Sequence, residues 1–310
     1  MFDSPLSASA YEVLGVAADI DDEALRRAYR LRLRETHPDT GGDAAVFIRV
    51  QHAWELVGTP DARSSYDRRR GGDGGDAWRA PARSAKDTRP RPASYGAPGA
   101  WRRARYVALL QEWAGRDVDD PYAPALVHSA PRALRRLLAD ALAEEATADA
   151  VAGLGMGFTL WHGIRVGLPA GGEAHADEDA VDRLDHIVLG PSGLFGVMSA
   201  DFGGIVGFRR GEITGPTLGH RAPVTSLLAQ IRAVARATGV RFSGAIVVLP
   251  DDDLSLAATP LGTIRGLPVL VVRRSTLPTV LRAGMPGSRL IGGNELFDMR
   301  TRLRHGVRLS

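Results

Sequence analysis

A short polar stretch from Thr36 to Gly42 constrains the fold of this chain more than any other feature of its sequence. Proline lacks a backbone donor and disfavours helical geometry in the residue before it, so Pro38 predicts that a helix ends near His37. The glycines that close the stretch allow the chain to turn into a new helix. We therefore expect an exposed polar loop between two helices, over residues 23–35 and 44–57.

The helix that precedes this loop has an apolar face and a basic face. Its apolar residues recur at helical spacing, which predicts that they face a core: Leu25, Ala28, Tyr29 and Leu33. Its arginines fall on another side: Arg26, Arg27, Arg30 and Arg34. Such a stripe is equally typical of a solvated helix face and of a docking surface.

Together with its flanks, this loop resembles a J domain over residues 8–70. The matching segments are Tyr11-Glu12-Val13-Leu14-Gly15-Val16, Leu25-Arg26-Arg27-Ala28-Tyr29-Arg30, His37-Pro38-Asp39, Ala53-Trp54-Glu55 and Tyr66-Asp67. The resemblance implies a four-helix module that docks on a DnaK-class heat-shock ATPase and stimulates ATP hydrolysis. It also implies that the His37-Pro38-Asp39 loop and the basic helix face make the contact.

His37 has a simpler interpretation, because a lone histidine before proline is commonly a turn residue without chemistry. No nucleophile or second histidine lies near it in the sequence, so we do not expect a catalytic base there. By the resemblance, its role is contact with the partner and the shape of the loop.

Length and composition predict more than one domain and a soluble, cytoplasmic protein. The chain has 310 residues and no cysteine, which excludes a disulfide scaffold and a cysteine-ligated zinc site. The N-terminus lacks the pattern of a signal peptide, and the longest apolar runs are too short to cross a bilayer. We therefore expect no membrane association. Lys86 is the only lysine, a bias towards arginine that favours a bacterial source.

A segment rich in glycine, proline and arginine, residues 71–104, separates the two predicted domains. Seven basic and three acidic residues lie in it, so it carries the basic excess of the chain. Its composition predicts a flexible linker. An alternative is contact with single-stranded nucleic acid through its arginines and the aromatic residues Trp78 and Tyr95. We favour the linker over this alternative.

Helical and strand patterns alternate from residue 105 to residue 310, with the core expected over about 131–282. We predict helices at 105–113, 131–154, 223–238 and 276–283, and strands at 158–166, 185–189, 193–198, 204–208, 244–249 and 268–272. This order predicts an α/β sandwich with a mixed sheet. Asp251-Asp252-Asp253 is expected to be a solvated turn or helix cap.

The run from Leu184 to Phe195 resembles the nuclease-related domain, a branch of the restriction-endonuclease-like superfamily. Gln230 and Trp161-His162 also match positions of that family. The resemblance implies a fold that, when active, cleaves phosphodiesters with one or two divalent cations held by carboxylates, next to a lysine.

The residues that such chemistry requires are incomplete. By the resemblance, Asp185 stands at the first metal-ligand position, but Met198 and Ala200 stand where a carboxylate and a lysine are needed. Methionine does not hold a hard cation, and alanine cannot orient water. We therefore expect a dismantled site, in which Asp185 is a lone structural carboxylate.

The helix that should supply a further glutamate is ambiguous. Glu144 or Glu145 could serve, although the best-fitting register places Thr147 there. We predict no bound metal and no cofactor.

The combined prediction is a J-domain co-chaperone whose C-terminal domain is not an enzyme. That domain recruits an unidentified client or scaffold, while Arg26, Arg27, Arg30, Arg34 and the His37-Pro38-Asp39 loop engage the ATPase. Two alternatives stay open, a metal-dependent nuclease and a nucleic-acid-binding protein, each carrying the J domain as a targeting module.

Overall fold

The computed structural model describes residues 4–6, 8–68, 91–115, 118–166, 183–215, 217–285 and 287–309. The chain divides into two units: residues 1–82 with 116–132, and residues 83–115 with 133–310. Among the described residues, no helix has both the length and the apolar character that a membrane span requires.

The first unit is helical. Its helices are α1 (Ala10–Leu14), α2 (Asp22–Glu35), α3 (Ala44–Val57) and α4 (Pro60–Arg68), and a short helix over Pro124–Ser129 also groups with it. The sequence patterns predicted α2 to within one residue and the bounds of α3. Both helices end where local chemistry dictates, since α2 stops before the His37-Pro38 pair and a glycine follows α3.

The core of the first unit lies between α1, α2 and α3. Its buried side chains include Leu14, Leu25, Val50 and Val57. The Tyr29 ring stacks on the Trp54 indole, with 4.4 Å between ring centroids. This stacking fixes α2 against α3, so the arginine-bearing face of α2 is directed away from the core.

Arg63 of α4 ties the turn between α1 and α2 to the rest of the first unit. Its guanidinium donates to the Asp22 carboxylate at 2.8 Å and to the carbonyl oxygens of Ala18 and Ile20 at 2.9 and 2.6 Å. It also donates to the Tyr11 hydroxyl at 3.1 Å. A charged donor that satisfies several acceptors restrains this turn, and with it the start of α2.

The second unit alternates helices and strands. Its elements are β1 (Ala93–Tyr95), α5 (Ala100–Ala114), α6 (Arg132–Val151), β2 (Thr159–Arg165), β3 (Arg183–Gly190), β4 (Gly193–Ser199), β5 (Gly207–Arg209), β6 (Glu212–Thr214), α7 (Pro223–Thr238), β7 (Gly244–Leu249), β8 (Ala258–Ile264), β9 (Leu267–Arg273), α8 (Leu277–Ala283), α9 (Gly293–Gly306) and β10 (Arg308–Leu309).

Eight of these strands form one mixed sheet. Seven follow the order β1-β2-β3-β4-β7-β9-β8, and β10 pairs with β2. The segment β2-β3-β4 is an antiparallel meander, whereas β4, β7 and β9 run parallel, as expected when helices and turns connect them. Apolar side chains of α7 and α9 pack on one face of the sheet, and those of α8 pack on the other. The predicted mixed α/β fold is confirmed.

Three boundaries differ from the sequence-based prediction. The predicted linker ends too late, because residues 93–95 already form β1 and α5 begins at Ala100. The predicted strand 204–208 does not join the main sheet; β5 pairs with β6 in a separate hairpin. The predicted core, 131–282, omits β1 and α9. Residues 69–90, which carry the remainder of the predicted linker, lie outside the described residues.

Short or interrupted patterns explain these differences. β1 has only three residues, too few to show alternation. The prediction also missed β8. This strand contains Pro260 and Gly262, residues that weaken a strand pattern, and a register shift separates them in its pairing with β9.

Candidate functional site

The loop after α2 is a compact turn whose two ends are hydrogen-bonded. A single 3₁₀ turn spans Pro38–Thr40, and the His37 Nδ1 atom accepts a hydrogen bond from the Asp39 backbone amide at 3.2 Å. The Gly42 amide donates to the His37 carbonyl at 3.0 Å. Pro38 and Asp39 are exposed, so the turn presents them to solvent.

Gly42 sits where no side chain fits. A Cβ atom there would lie 2.3 Å from the carbonyl carbon of Thr36, well inside van der Waals contact. Glycine at this position therefore lets the end of the loop pass directly over the C-terminus of α2.

His37 is fixed from the other side by α3. Its ring meets the Phe47 ring edge-on, with 5.0 Å between centroids, and the side chain is half-buried. Aromatic contact and the Asp39 amide together hold the imidazole in one orientation. The loop therefore holds the His37 ring in a defined orientation and leaves Pro38 and Asp39 exposed to solvent.

The four arginines predicted for docking are all exposed on α2: Arg26, Arg27, Arg30 and Arg34. Arg27 pairs with Glu23 one turn earlier, with 2.7 Å between nitrogen and oxygen. An exposed pair of this kind contributes little to stability, so Arg27 can exchange Glu23 for a partner's carboxylate at small cost.

Leu31 is a further candidate on this surface that the sequence analysis missed. It is 59% exposed on α2, one turn after Arg27. Single exposed apolar side chains are common on protein surfaces, so Leu31 is a candidate only through its place among the docking arginines. The signal that could have revealed it is its failure to fit the spacing of Leu25, Ala28 and Leu33.

In the second unit, Asp185 lies buried on β3 and is not alone. Its Oδ1 atom accepts a hydrogen bond from Arg102 Nη1 at 2.8 Å, and its Oδ2 atom accepts one from the Ser199 backbone amide at 2.8 Å. The same Arg102 nitrogen forms an ion pair with Glu144 of α6. Arg102 therefore lies between two buried carboxylates from different elements.

The prediction that Asp185 is a lone carboxylate is thus wrong, and so is the favoured register of α6. Glu144 faces Arg102, and it also accepts a hydrogen bond from the Gly99 amide at 3.0 Å. Glu145 pairs with Arg103 instead. Thr147 is buried one turn further along α6. Sequence reasoning missed Arg102 because it lies 83 residues before Asp185.

Asp140 adds a further acidic group beside this cluster. Burial raises the pKa of its carboxyl to about 6, although the neighbouring Arg102 and Arg221 lower it in part. A third acidic group therefore lies near Arg102, together with the positive charges of Arg221 and Arg136.

Two of the other residues predicted for the degenerate site, Met198 and Ala200, carry no side-chain oxygen that could hold a hard cation. Met198 packs, partly buried, against the apolar cluster on the α7 side of the sheet, and Ala200 lies inside that cluster. Gln230 is buried on α7. Within the part of the chain that the structure describes, no three histidine or carboxylate side chains group as a metal site would require.

A chain of buried hydrogen bonds continues from Ser199 across the sheet. The Ser199 hydroxyl bonds to His186 Nε2 at 2.9 Å, and His186 Nδ1 lies 2.7 Å from His162 Nδ1. The other nitrogen of His162 bonds to the Ser94 hydroxyl of β1 at 3.0 Å. One of these two ring nitrogens donates a proton to the other, so at least one of the two imidazoles is neutral.

Burial lowers the pKa of both histidines. The pKa of His162 falls to about 4, and that of His186 also falls, with the charges of His162 and Arg102 adding to the effect of burial. Both imidazoles are therefore uncharged at neutral pH. Their hydrogen bonds act as a structural cross-link between β1, β2, β3 and β4.

This cross-link predicts a loss of stability in acid. Because the folded pKa of His162 lies below the ordinary 6.5, the unfolded chain binds the proton first as the pH falls. Between pH 7 and pH 5 the free energy of unfolding should drop by about 2 kcal/mol from His162 alone. Urea unfolding at both pH values, compared with a His162→Gln/His186→Gln variant, measures it.

The variant serves as the control because carboxyl groups with raised pKa values elsewhere in the fold have the opposite effect: they stabilise the folded state as the pH falls. Both proteins carry these groups, so their contribution cancels when the two pH-dependent changes in unfolding free energy are compared. Such groups include Asp140 and Asp253. An equal loss of stability in both proteins would contradict the assignment of neutral, buried imidazoles.

Asp253 departs from the solvated turn predicted for Asp251-Asp252-Asp253. It is buried, and its Oδ2 atom has no hydrogen-bond partner. Burial raises its pKa to about 7, and the charges of Asp201 and Asp252 raise it further. Asp251 accepts a hydrogen bond from the Ser275 amide at 3.0 Å, as a capping residue would.

Comparison with known proteins identifies the first unit only. A family model described as DnaJ domain matches residues 9–67. The DnaJ protein homolog ANJ1 of Atriplex nummularia is 42% identical over 57 residues, 18% of this chain and 14% of that protein. The Chaperone protein DnaJ of Thermosynechococcus vestitus is 43% identical over 61 residues, 19% of this chain and 16% of that protein.

A third relative gives the same picture. The Chaperone protein DnaJ of Tropheryma whipplei is 44% identical over 59 residues, 19% of this chain and 17% of that protein. This chain therefore spans less than a fifth of the length of the curated relatives it matches. No family model identifies the C-terminal domain.

Proposed function

We propose, from the premise that residues 9–67 form a DnaJ domain, that this protein is a co-chaperone of a DnaK-class heat-shock ATPase. The DnaJ domain docks on that ATPase and stimulates ATP hydrolysis. The second unit is a recruitment domain that binds a client or scaffold and turns over no substrate itself.

One observation carries the first part of this proposal, the rigid loop beside the arginine face. His37 is held by Phe47 and by the Asp39 amide, while Pro38 and Asp39 are free to meet a partner. Next to them, α2 presents Arg26, Arg27, Arg30 and Arg34 to solvent. Arginine binds carboxylates in a defined geometry, so this surface suits an acidic face of an ATPase.

The position of Arg102 supports a recruitment domain rather than an enzyme. A metal-dependent hydrolase needs a cation between its carboxylates, and here a guanidinium pairs with both Asp185 and Glu144. Arg102 is itself buried, so moving it away would leave the buried carboxylates without a partner and destabilise the fold. Met198 and Ala200, which stand where the resemblance requires a carboxylate and a lysine, supply neither a ligand nor a base.

The convergence of Asp185 and Glu144 is the one observation that favours the rival function, metal-dependent phosphodiester cleavage. Asp185 of β3 and Glu144 of α6 approach the same Arg102 nitrogen, and a pair of carboxylates could hold a cation better than Asp185 alone. For catalysis, Arg102 would have to leave and a cation take its place. The cost of breaking two buried ion pairs argues against this exchange.

Two assays test the proposal. In single-turnover hydrolysis by a purified bacterial DnaK, the full-length protein should raise the rate of ATP hydrolysis well above the basal rate; an unchanged basal rate would contradict the co-chaperone function.

In digestions of DNA and RNA with Mg²⁺ or Mn²⁺, neither the natural protein nor Asp185→Ala should degrade the substrate. Cleavage by the natural protein but not by Asp185→Ala would establish the rival.

A further inference from the structure

Acidic residues are almost absent from one part of the second unit. Between Glu212 and Glu295 the only acidic residues are Asp251, Asp252 and Asp253. These three follow the C-terminal end of β7. The arginines at the opposite end of β7 therefore have no acidic neighbours in sequence, and the strand has one acidic end and one basic end.

A shallow groove of about 220 Å³ lies at this basic end. It is bounded by α7, by the segment between α7 and β7, and by the turn between β8 and β9. Apolar side chains form its floor: Ile231, Ala235, Phe242 and Leu267. Arg232, Arg241 and Arg265 form its rim, and Arg236 extends the rim along α7. We call this the arginine groove.

The rim arginines are exposed and engage backbone rather than acids. Arg232 donates to the Arg265 carbonyl at 3.3 Å, and Arg236 donates to the Arg232 carbonyl at 3.3 Å. Within the described residues, none of the four forms a salt bridge. Most of their donors thus remain available to a ligand, since a guanidinium carries five N–H groups.

The turns beside the groove add to this concentration of charge. Arg210 and Arg265 are the only described residues other than glycine with a positive φ, at 52° and 51°. Each begins a two-residue hairpin turn completed by glycine, where asparagine or glycine is ordinarily favoured. A Cβ on Gly211 would lie 3.0 Å from Ile264 Cδ1, so the two turns are neighbours.

Glu212, the nearest acidic residue of these turns, is occupied elsewhere. Its carboxylate accepts hydrogen bonds from the Val224 amide at 2.7 Å and from the Thr225 amide at 3.1 Å. It therefore serves the N-terminus of α7, where the helix dipole favours a negative charge. Among the described residues it forms no salt bridge with Arg232, Arg236, Arg241 or Arg265.

We propose that the arginine groove binds an acidic peptide segment of a partner protein. Carboxylates of the peptide pair with the rim arginines, and apolar side chains of the peptide cover Ile231, Ala235 and Phe242. This inference rests on the recruitment function proposed for the second unit and names the chemistry of its partner.

The floor of the groove favours a peptide over a nucleic acid. A phosphodiester backbone has no group that gains from an apolar floor, and base stacking needs exposed aromatic platforms. Phe242 is the one aromatic residue of the floor, and it is partly buried.

Fluorescence anisotropy with the full-length protein tests this inference. The probe is a short fluorescein-labelled peptide in which glutamates flank a leucine–phenylalanine pair; the comparison probe is oligo(dT) of equal net charge. We expect Arg232→Glu/Arg236→Glu to weaken peptide binding by about tenfold or more, as loss of charge-assisted hydrogen bonds would. Ala235→Trp, which fills the floor without a change of charge, should weaken it as well.

The matched control is Arg282→Glu/Arg289→Glu, which makes the same charge change outside the groove. Arg282 lies on α8, the helix that packs on the opposite face of the sheet, and both residues are exposed. Peptide binding by this variant should stay within about twofold of the natural protein. Equal losses in both double variants would reduce the effect to net charge and overturn the proposal.

Two other results would also overturn it. One is tight binding of oligo(dT) that Ala235→Trp leaves unchanged, which would assign the surface to nucleic acid. The other is peptide binding that survives Arg232→Glu/Arg236→Glu. DnaK stimulation, measured on the same variants, should match the natural protein. If the peptide does not bind but DnaK is still stimulated, only the arginine-groove proposal is refuted. If neither the natural protein nor any variant stimulates DnaK, the co-chaperone function is refuted separately.

Discussion

His37→Gln is expected to abolish stimulation of a DnaK-class ATPase while the fold stays intact. The imidazole accepts a hydrogen bond from the Asp39 amide and packs edge-on against Phe47. Glutamine can neither form the aromatic contact nor offer the ring nitrogen in the same place. Because His37 contributes little to the core, the free energy of unfolding should change by less than about 1 kcal/mol. Single-turnover ATP hydrolysis and urea unfolding measure the two effects.

His52→Gln is the matched control for this experiment. His52 is an exposed histidine on α3, outside the loop, so the same chemical change is made in the same unit. Stimulation by this variant should equal that of the natural protein. If His37→Gln stimulated the ATPase as well as His52→Gln does, the loop would not be the element that acts on the partner.

Arg102→Met is expected to cost more stability than any other single change considered for the second unit. The substitution keeps much of the side-chain volume and removes the charge that Asp185 and Glu144 share. Two buried carboxylates would then face each other without a counter-charge, at an expected cost of about 3–5 kcal/mol in the free energy of unfolding. Chemical denaturation at pH 8 measures this loss.

Adding Asp185→Asn and Glu144→Gln to Arg102→Met should restore much of the stability, because neither amide carries a charge that needs a partner.

Arg302→Met provides the comparison on the surface. Arg302 forms an exposed pair with Asp298, 3.0 Å apart, and its loss should change stability by less than about 0.5 kcal/mol. Should Arg102→Met cost no more than this control, Arg102 would not be the counter-charge of the buried acids.

The first unit could be predicted closely from its sequence because its determinants are local. Pro38 ends α2, apolar spacing sets its buried face, and α3 has the bounds that the pattern indicated. The exposed arginines follow from the same periodicity. Leu31 was missed because it falls outside the apolar spacing that identified the buried face of α2.

The candidate site of the second unit depends on contacts between distant parts of the chain, which no local pattern encodes. Asp185 could be singled out from its strand, but its partner Arg102 lies in a segment predicted as linker. The partnership of His162 with His186 depends on the pairing of β2 with β3. The short strand β1, which supplies Ser94, gave no periodic pattern to read.

The parallel pairing of β1 with β2 determines how the second unit bears tension. β1 is the first described element after the DnaJ domain, so a pull transmitted along the chain from that side arrives at β1. Its three residues pair in register with Thr159, Leu160 and Trp161, and a lengthwise pull loads these pairs together rather than one after another. The Ser94–His162 hydrogen bond adds a side-chain link between β1 and β2, and the Arg102 ion pair joins α5, the next element along the chain, to β3. We therefore expect β1 to stay paired with β2 when force is applied to the second unit from its N-terminal side.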